Sequence, residues 1–411
     1  MVLLYNIGLR LYSFFIRLVS PFNPKAKLFI DGRKNVFESV TEFKKAESKP
    51  VAWFHAASLG EFEQGLPVMQ AFKKEYPHYS IAVSFFSPSG FEQKKNHEIA
   101  DFSCYLPIDT AANARLYLDT LRPSVVFFIK YEYWYHYLNE INKRAIPLYS
   151  ISALFTPNHI FFKAYGGFHR RMLKFFKHTF VQNSNSEKLL REIGIEACSV
   201  SGDTRFDRVT QTLNKPATFQ EIKRFVGDFP CLIIGSAWPE DMEVLEDFIN
   251  KEAENLKIII APHLIDSDHL DKITGYLKVP YQLYTESRSE VNSNILVLNT
   301  IGMLASTYQY ASFAYIGGAF GDGLHNILEA VAFGLPVVFG NKGLDKFPES
   351  LELISLGGAF SVSDKISANN VLRKLLNESF RKEASNICIK YVEENTGATE
   401  KIMSYLSEDL K

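Results

Sequence analysis

The sequence predicts an α/β protein with two doubly wound domains, and three observations lead to this fold class. Short apolar runs rich in Val, Ile and Phe alternate with helical patterns over most of the chain, which is typical of parallel sheets covered by helices. The polar segment 211–216 divides this alternation into two series. The length of 411 residues exceeds the point at which a single hydrophobic core stops growing.

Each series supplies its own set of buried parallel strands. Because ligands bind at the carboxyl ends of such strands, we expect the binding groups in the turns that follow them, facing a cleft between the two domains. The tail from Ile366 onward has the pattern of terminal amphipathic helices. The predicted strands are 51–55, 81–85, 125–129 and 146–150 in the first series, and 231–234, 257–260, 295–298, 313–316 and 336–339 in the second.

Composition excludes several classes of protein. The formal net charge of −1 argues against a nucleic-acid binder, because affinity for a phosphate backbone needs a basic excess. The cysteines form no Cys-x-x-Cys pair, so the sequence predicts neither a disulfide framework nor a thiolate zinc site, and a reducing, cytoplasmic setting fits best. The four cysteines are Cys104, Cys198, Cys231 and Cys388.

The amino-terminal arm, residues 1–30, is predicted to be an amphipathic helix associated with a membrane. It is apolar from Val2 to Val19 except for four polar residues at helical spacing, which fall on one stripe and leave the rest of the surface apolar. Two arginines within the helix argue against a spanning orientation, and a basic flank suits anionic headgroups. A helix packed only on its own domain is the alternative. The stripe is Asn6, Arg10, Ser13 and Arg17, and the flank is Lys25, Lys27, Arg33 and Lys34.

The first domain, residues 31–210, carries a strand-to-helix turn at 55–61 that ends in Glu61. A carboxylate in the first turn of a helix is held ionised by the helix dipole, and it can act as a general base when a hydroxyl lies within hydrogen-bond reach. An ordinary first-turn acid explains the same pattern. The next strand is followed by a similar turn at 86–90, which adds small hydroxyl residues.

The second domain, residues 211–411, has a glycine-containing loop at 320–325 between a predicted strand and a helix. Such a loop offers bare N–H groups and a positive helix end to a phosphate. Asn326 and Glu329 lie three residues apart and share one face of the first helical turn. A well-capped helix after a core strand is the alternative. The segment Asp266-Ser267-Asp268 matches the Asp-x-Asp metal grip of some glycosyltransferases, but we expect it to be a helix cap, with no metal bound.

Six motifs, in the order in which they occur, resemble the 3-deoxy-D-manno-octulosonic acid (Kdo) transferases. The resemblance covers nearly the whole chain, including the apolar amino-terminal arm. The motifs are Trp53-x-His55-Ala56-x-Ser58-x-Gly60-Glu61, Ser87-Pro88-Ser89-Gly90, Tyr131-Glu132-Tyr133-Trp134, Gln182-Asn183-Ser184, Gly202-Asp203-Thr204-Arg205-Phe206-Asp207 and His325-Asn326-Ile327-Leu328-Glu329.

The resemblance implies an inverting, metal-independent glycosyltransferase of the GT-B type, with two Rossmann-like domains facing a cleft. It implies transfer of Kdo from CMP-Kdo to the 6-hydroxyl of a lipid A precursor (lipid IVA) during lipopolysaccharide core biosynthesis. The expected location is the cytoplasmic face of the inner membrane. The first domain would bind the acceptor and the second would bind CMP-Kdo, with no cofactor.

The resemblance also implies roles for individual residues. Glu61 matches the catalytic base, and Glu132 and Arg205 match positions that steady the charged transition state, where the family usually has lysine in place of Arg205. His263 stands where the family has an arginine beside the CMP phosphate, which exchanges a permanent charge for a pH-sensitive one. Expected donor-binding residues are Ser236, Pro262, His263, Gly302, Met303, Leu304, Asn326, Ile327, Leu328 and Glu329. Expected acceptor-binding residues are Ser58, Gly60, Ser89, Gly90, Arg170 and Arg171.

Some of these assignments carry open alternatives. Met303 replaces the glutamate of a family Gly-Glu-Leu segment, so base recognition there would use main-chain groups. Arg170 and Arg171 lie in a basic and aromatic segment, 161–177, which suits a lipid phosphate but also suits a solvated helix face. Two other functions remain: a soluble sugar-nucleotide epimerase of the same architecture, and a catalytically silent lipid-binding protein. The epimerase would have no use for the amphipathic arm, and a lipid-binding protein would keep its function without the Glu61 carboxylate.

Overall fold

The computed structural model describes residues 1–286, 293–321 and 323–410. The chain divides into two compact units: unit 1 contains Met1–Arg208 together with Thr396–Lys411, and unit 2 contains Val209–Asn395. The division falls within one helix, two residues before the expected boundary. Each unit has a seven-stranded, fully parallel sheet among its described residues, as the alternating pattern predicts.

Unit 1 has the strand order β3-β2-β1-β4-β5-β6-β7. Its strands are β1 Val51–Ala56, β2 Ser80–Phe85, β3 Phe102–Tyr105, β4 Pro123–Ile129, β5 Leu148–Ala153, β6 His178–Val181 and β7 Cys198–Val200. Its helices are α1 Val2–Val19, α2 Pro24–Asp31, α3 Val36–Ala46, α4 Leu59–Glu75, α5 Pro88–Lys94, α6 Ala111–Leu121, α7 Tyr135–Lys143, α8 Gly167–Leu173, α9 Ser184–Glu192, the boundary helix α10 Thr204–Asn214, and the last helix of the chain, α19 Ala398–Asp409.

Unit 2 has the strand order β10-β11-β9-β8-β12-β13-β14. Its strands are β8 Cys231–Ala237, β9 Lys257–Pro262, β10 Gln282–Leu283, β11 Ile295–Val297, β12 Phe313–Ile316, β13 Val337–Gly340 and β14 Ala359–Val362. Its helices are α11 Gln220–Val226, α12 Pro239–Glu252, α13 Ser267–Thr274, α14 Leu304–Thr307, α15 Leu328–Ala332, α16 Pro348–Leu356, α17 Lys365–Leu376 and α18 Glu378–Asn395.

All nine predicted strands are present, because each central strand is a run of β-branched and aromatic residues buried on both faces. The strands that the apolar pattern did not reveal are short, and they are β3, β6, β7, β10 and β14. β10 has two residues, and β14 exposes Ser361, so neither gives a clear apolar run.

The direction in which strands are added reverses once in each sheet. In unit 1 the reversal lies between β1 and β4, and in unit 2 it lies between β8 and β12. The loops after two such strands diverge to opposite faces and leave a crevice, which is the usual ligand position in open α/β sheets. Glu61 follows β1 and Glu132 follows β4, whereas Ser236 ends β8 and Asn326 follows β12. The topology therefore places the principal candidate residues at the two reversal points.

The last helix, α19, differs from the expected domain assignment. Residues 396–411 were expected in the second domain, but they group with unit 1. Asp207 accepts hydrogen bonds from the backbone N–H groups of Gly397 (2.7 Å) and Thr399 (2.6 Å), and Ile402 is fully buried in the unit 1 core. An amphipathic pattern shows that a helix has an apolar face but not which core that face covers.

Helix α1 is the one described helix whose length and apolar composition would allow it to cross a bilayer. One side of this helix contacts the rest of unit 1: Tyr5 donates a hydrogen bond to Asp109 (2.5 Å), and the side chains of Asn6 and His136 are 2.6 Å apart. Its apolar residues lie on the surface, and Leu3 and Leu18 are 72% and 60% exposed. The two expected roles of the arm, packing on its own domain and presenting an apolar surface, therefore fall on opposite faces of one helix.

Candidate active site

Glu61 is positioned by a capping box at the start of α4. The backbone N–H of Ser58 donates to Oε2 of Glu61 at 3.1 Å, and the Ser58 hydroxyl donates to the same oxygen. Oε1 has no hydrogen-bond partner among the described residues. The capping role and the catalytic role are thus compatible, since one oxygen fixes the carboxylate and the other is left to accept a proton.

Gly90 brings the second turn against the first. A Cβ on Gly90 would lie 2.9 Å from the carbonyl carbon of Ser58, 3.1 Å from the backbone nitrogen of Leu59 and 2.5 Å from the Phe85 ring. This is closer than any side chain allows, so glycine is required for the contact. Ser58, Gly60, Ser89 and Gly90, predicted as acceptor-binding residues, therefore share one rim of unit 1.

We expect Gly90→Ala to lower the free energy of unfolding by about 1–3 kcal/mol, the usual cost of overpacking, because the β1–α4 turn must move. Gly60→Ala is the matched control, since its Cβ would meet no atom nearer than 3.9 Å. Urea unfolding of both variants measures the difference. Equal stability of Gly90→Ala and the wild type would show that the two turns are not tightly packed.

Glu132 lies at the end of a hydrogen-bond network that begins inside the sheet. Its Oε2 accepts from Nε1 of Trp134 (2.5 Å) and lies 3.1 Å from Nε2 of the fully buried His55. Nδ1 of His55 is 2.8 Å from the Ser84 hydroxyl, whose oxygen accepts from Nε1 of Trp53 at 2.7 Å. The backbone carbonyl oxygen of Ser84 lies 3.1 Å from the same Nδ1.

The ring of His55 links Glu132 to the sheet through both of its nitrogens. Nε2 lies 3.1 Å from Oε2 of Glu132 and 3.2 Å from Nε1 of Trp134, so His55 and Trp134 together hold the Glu132 carboxylate in place. The sequence motif contains Trp53, His55 and Trp134, but only the structure shows that they converge on Glu132.

Arg205 lies at the start of α10 and is held by Asp203. Its Nε donates to Oδ2 of Asp203 (2.8 Å), one Nη lies 2.7 Å from the same oxygen, and Gln64 donates to Oδ1 (3.1 Å). Burial would raise the pKa of Asp203, but the Arg205 guanidinium outweighs it and the pKa lies below its usual value. Asp203 is thus an ionised partner that orients the guanidinium fork.

The phenol of Tyr131 is influenced by the charges of both Glu61 and Arg205. Burial raises the pKa of its phenol, Arg205 acts to lower that pKa, and Asp203 and Glu61 act to raise it. The electrostatic influence of Glu61 and Arg205 on one side chain indicates that the two lie in the same region of unit 1. Glu61 and Arg205 are 144 positions apart in sequence, and the parallel sheet brings them together at its carboxyl edge.

In unit 2, Asp241 holds the turns after β8 and β12 together. This residue was not among those predicted from the sequence. This fully buried carboxylate accepts hydrogen bonds from the backbone N–H groups of Trp238 (3.0 Å) and Gly318 (2.9 Å) and from the Tyr315 hydroxyl (2.9 Å). Burial raises its pKa to about 6. The only signal in the sequence is an acid in the first turn of a helix after Pro239, which is a common pattern.

The glycine loop of unit 2 differs from its predicted form. The N–H of Gly318 is bound by Asp241, those of Gly321 and Gly323 donate to the Gly318 carbonyl, and that of His325 donates to Gly317. The prediction that the glycines themselves offer bare N–H groups is therefore wrong, because the loop folds on its own backbone. Asp322 lies outside the described residues.

The helix after this loop begins at Leu328, two residues later than expected, and α15 has five residues. Asn326 precedes it, with its amide donating to Glu329 (3.1 Å) and its oxygen accepting from the Leu328 N–H (3.2 Å). Asn326 and Glu329 are therefore in contact, although Asn326 lies before the helix and not in its first turn as predicted. Ile327 and Leu328 are buried, so they can offer a ligand only their backbone.

His263 takes part in an aromatic stack beside the loop. Its ring lies 4.5 Å from that of Trp238 at 22° and 4.5 Å from that of His325 at 28°. Nε1 of Trp238 donates to Nε2 of His325 at 3.0 Å. The sequence predicted His263 alone; the structure adds Trp238 and His325 to the same surface.

The remaining donor-binding candidates lie at or after the ends of other strands of unit 2. Ser236 is the second-last residue of β8 and has a positive φ of 51°, and Pro262 is buried at the end of β9. Gly302 has a φ of 87° and precedes Met303, whose carbonyl accepts from the Thr307 N–H in α14. Leu304 packs against Gly235.

The two arginines predicted to bind the acceptor differ in their surroundings. Arg170 donates to the backbone carbonyls of Phe161 (3.0 Å) and Lys163 (2.9 Å), so its guanidinium organises the chain before α8. Arg171 is exposed and has no partner among the described residues. Asp266 is the N-cap of α13 and accepts from the His269 N–H (3.1 Å), so the predicted helix cap is confirmed.

Comparison with known proteins shows which family the chain is similar to. Residues 34–208 match the family model described as 3-deoxy-D-manno-octulosonic-acid transferase (kdotransferase). The chain is 26% identical over 346 residues to the 3-deoxy-D-manno-octulosonic acid transferase of Chlamydophila psittaci, covering 81% of this chain and 80% of the relative. It is 24% identical over 378 residues to that of Haemophilus influenzae, covering 87% of each.

Solved structures share the fold. The UDP-GlcNAc 2-epimerase of Neisseria meningitidis superposes with a TM-score of 0.62 at 15% identity, covering 88% of this chain and 100% of that chain. Acinetobacter baumannii MurG superposes with a TM-score of 0.55 at 14% identity, covering 88% and 99%. At these identities only the fold is shared, and the predicted GT-B-like fold is confirmed. Residues 34–208 thus match the Kdo transferase family model, and most of the chain is similar in sequence to Kdo transferases, a family of glycosyltransferases.

Proposed function

We propose that this chain transfers Kdo from CMP-Kdo to the 6-hydroxyl of a lipid A precursor, with inversion at the anomeric carbon, in lipopolysaccharide biosynthesis. The observation that carries the proposal is Glu61, a carboxylate fixed by one oxygen and free at the other, in the same region as Arg205. A base and a fixed cation are what this transfer requires, because charge develops as the donor departs.

The step is a single displacement. Oε1 of Glu61 removes the proton of the acceptor hydroxyl while the hydroxyl oxygen forms a bond to the anomeric carbon of Kdo. The bond from that carbon to the phosphate oxygen breaks, and CMP leaves with the electron pair. Arg205, held by Asp203, and Glu132, held by His55 and Trp134, supply preorganised charges around the oxocarbenium-like transition state.

Unit 2 is proposed to bind CMP-Kdo. Its phosphate is proposed to lie against the Asn326 turn and beside the stacked imidazoles of His263 and His325. Because Ile327 and Leu328 are buried, Asn326 and Glu329 supply the side chains of this segment. The exposed apolar face of α1 is proposed to lie in the membrane interface at the cytoplasmic face of the inner membrane, where the lipid acceptor is found.

Incubation of the purified protein with CMP-Kdo and a tetraacylated lipid A precursor tests the proposal. We expect the acceptor to gain the mass of one or more Kdo residues, measured by mass spectrometry, with release of CMP. A parallel incubation with UDP-GlcNAc tests the epimerase alternative. An unchanged acceptor in the presence of folded protein, or epimerisation of the UDP-sugar, would contradict the proposal.

A further inference from the structure

A groove with polar and apolar walls lies between α1 and the start of α6. It has a volume of about 500 Å³ and is open on one side. The stripe Asn6, Arg10, Ser13 and Arg17 forms one wall, and residues 108–112 form the other. The apolar residues Leu3, Leu4, Ile7, Leu11 and Phe15 of the same helix are exposed on its outer side. The groove thus runs beneath the surface that is proposed to meet the membrane.

Three guanidinium groups surround this region. Arg10 and Arg17 line the groove, and Arg17 also lines an adjoining cavity of about 90 Å³ together with Arg33. Among the described residues, neither Arg10 nor Arg17 has a side-chain partner. Arg33, expected to belong to a surface flank, instead donates to the carbonyls of Leu106 (2.9 Å) and Phe86 (2.6 Å), so its charge is fixed without a carboxylate.

The acids of this region are already bonded to other groups. Asp109 accepts hydrogen bonds from the Tyr5 hydroxyl and from the backbone N–H groups of residues 136 and 137, and burial raises its pKa. Asp31 pairs with Lys34 at 2.7 Å. The groove therefore carries positive charge that the described side chains do not neutralise, and an anion is its complementary ligand.

The lining also indicates which kind of anion. Leu9, Phe14 and Ile108 add apolar surface to the lining of the groove. A phospholipid would place its phosphate against the arginines and its glycerol and acyl chains against these apolar residues. We propose that the groove binds the phosphate headgroup of a membrane lipid, at a site separate from the residues assigned to the sugar acceptor.

The test uses a soluble probe, so that it does not depend on membrane binding or on transfer activity. Dibutanoyl phosphatidic acid is titrated into the full-length protein by calorimetry. We expect Arg10→Gln/Arg17→Gln to bind it at least about tenfold more weakly, at about fivefold for each arginine. The control Arg115→Gln/Arg224→Gln removes two exposed arginines that lie outside the groove and have no described partner, and it should bind within twofold of wild type.

A second variant distinguishes a shaped binding site from nonspecific electrostatic attraction. Ala112→Phe fills the groove without changing any charge, and we expect a loss of affinity of the same order. Inorganic phosphate should bind at least about tenfold more weakly than the lipid probe. Unchanged binding in Ala112→Phe with a normal melting temperature, or equal affinity for inorganic phosphate, would overturn the proposal. Binding to neutral phosphatidylcholine vesicles, which reports on the apolar face of α1, should be retained by all variants.

Discussion

Glu61→Gln is expected to bind both substrates with affinities near those of wild type and to turn over at least about a hundredfold more slowly, the usual scale for a lost general base. Glutamine keeps the size of the side chain and an oxygen for the Ser58 cap, so the β1–α4 turn should retain its shape. The loss should fall on kcat with little change in KM, because the proton is transferred only in the transition state. Steady-state assays of CMP release measure both constants.

Glu75→Gln is the matched control for this variant. Glu75 is the last residue of the same helix and is exposed, so its charge can be removed without touching the candidate site. Its kcat should lie within twofold of wild type. If Glu61→Gln retained wild-type kcat while folded normally, Glu61 would not be the base and the mechanism proposed here would be wrong.

Asp241→Ala is expected to destabilise unit 2 by about 3 kcal/mol at pH 5. It leaves two backbone N–H groups and the Tyr315 hydroxyl without their shared acceptor, at about 1–3 kcal/mol for each unsatisfied buried group. Hydrogen exchange of residues 313–319 in low urea reports on this unit. Asp247→Ala, on the exposed face of the same helix, should leave exchange unchanged. Wild-type exchange rates in Asp241→Ala would show that the carboxylate does not hold the loop.

The same residue should make the stability of unit 2 depend on pH. Burial raises the pKa of Asp241 from 3.8 to about 6, so the folded state holds a proton that the unfolded state has already lost. Its stabilising effect is therefore full below pH 4 and declines as the pH rises through 6. Relative to Asp241→Asn, which does not titrate, wild-type stability should fall by about 2 kcal/mol between pH 4 and pH 7. A constant difference across this range would contradict the raised pKa.

The sequence predicted the elements that a local pattern defines. Central strands such as β1 and β8 are continuous apolar runs, and the Asp266 cap has a local signature. The positions of Glu61 and Glu132 at one edge of a sheet follow from parallel topology, which the alternation of strands and helices predicts. These features depend on residues that are close together in the chain.

Features that depend on distant residues could not be predicted in the same way. The partners of Glu132 and the three donors to Asp241 come from separate strands and turns. The folding of the glycine loop on itself depends on Gly318 and its carbonyl, whereas the sequence shows only that glycines are present. Helix α19 has an apolar face that either core could bury. In each case the local pattern is common, and tertiary contacts decide the outcome.

The placement of α19 in unit 1 affects the order in which the chain can fold as it is synthesised. Residues 209–395 leave the ribosome before Ile402, Met403 and Leu406, which fill part of the unit 1 core. Unit 2 can close as soon as its own strands have emerged. Unit 1, although its sheet is made first, must wait with an open apolar surface until the final helix arrives, and during that interval it is the part of the nascent protein that a chaperone would need to cover.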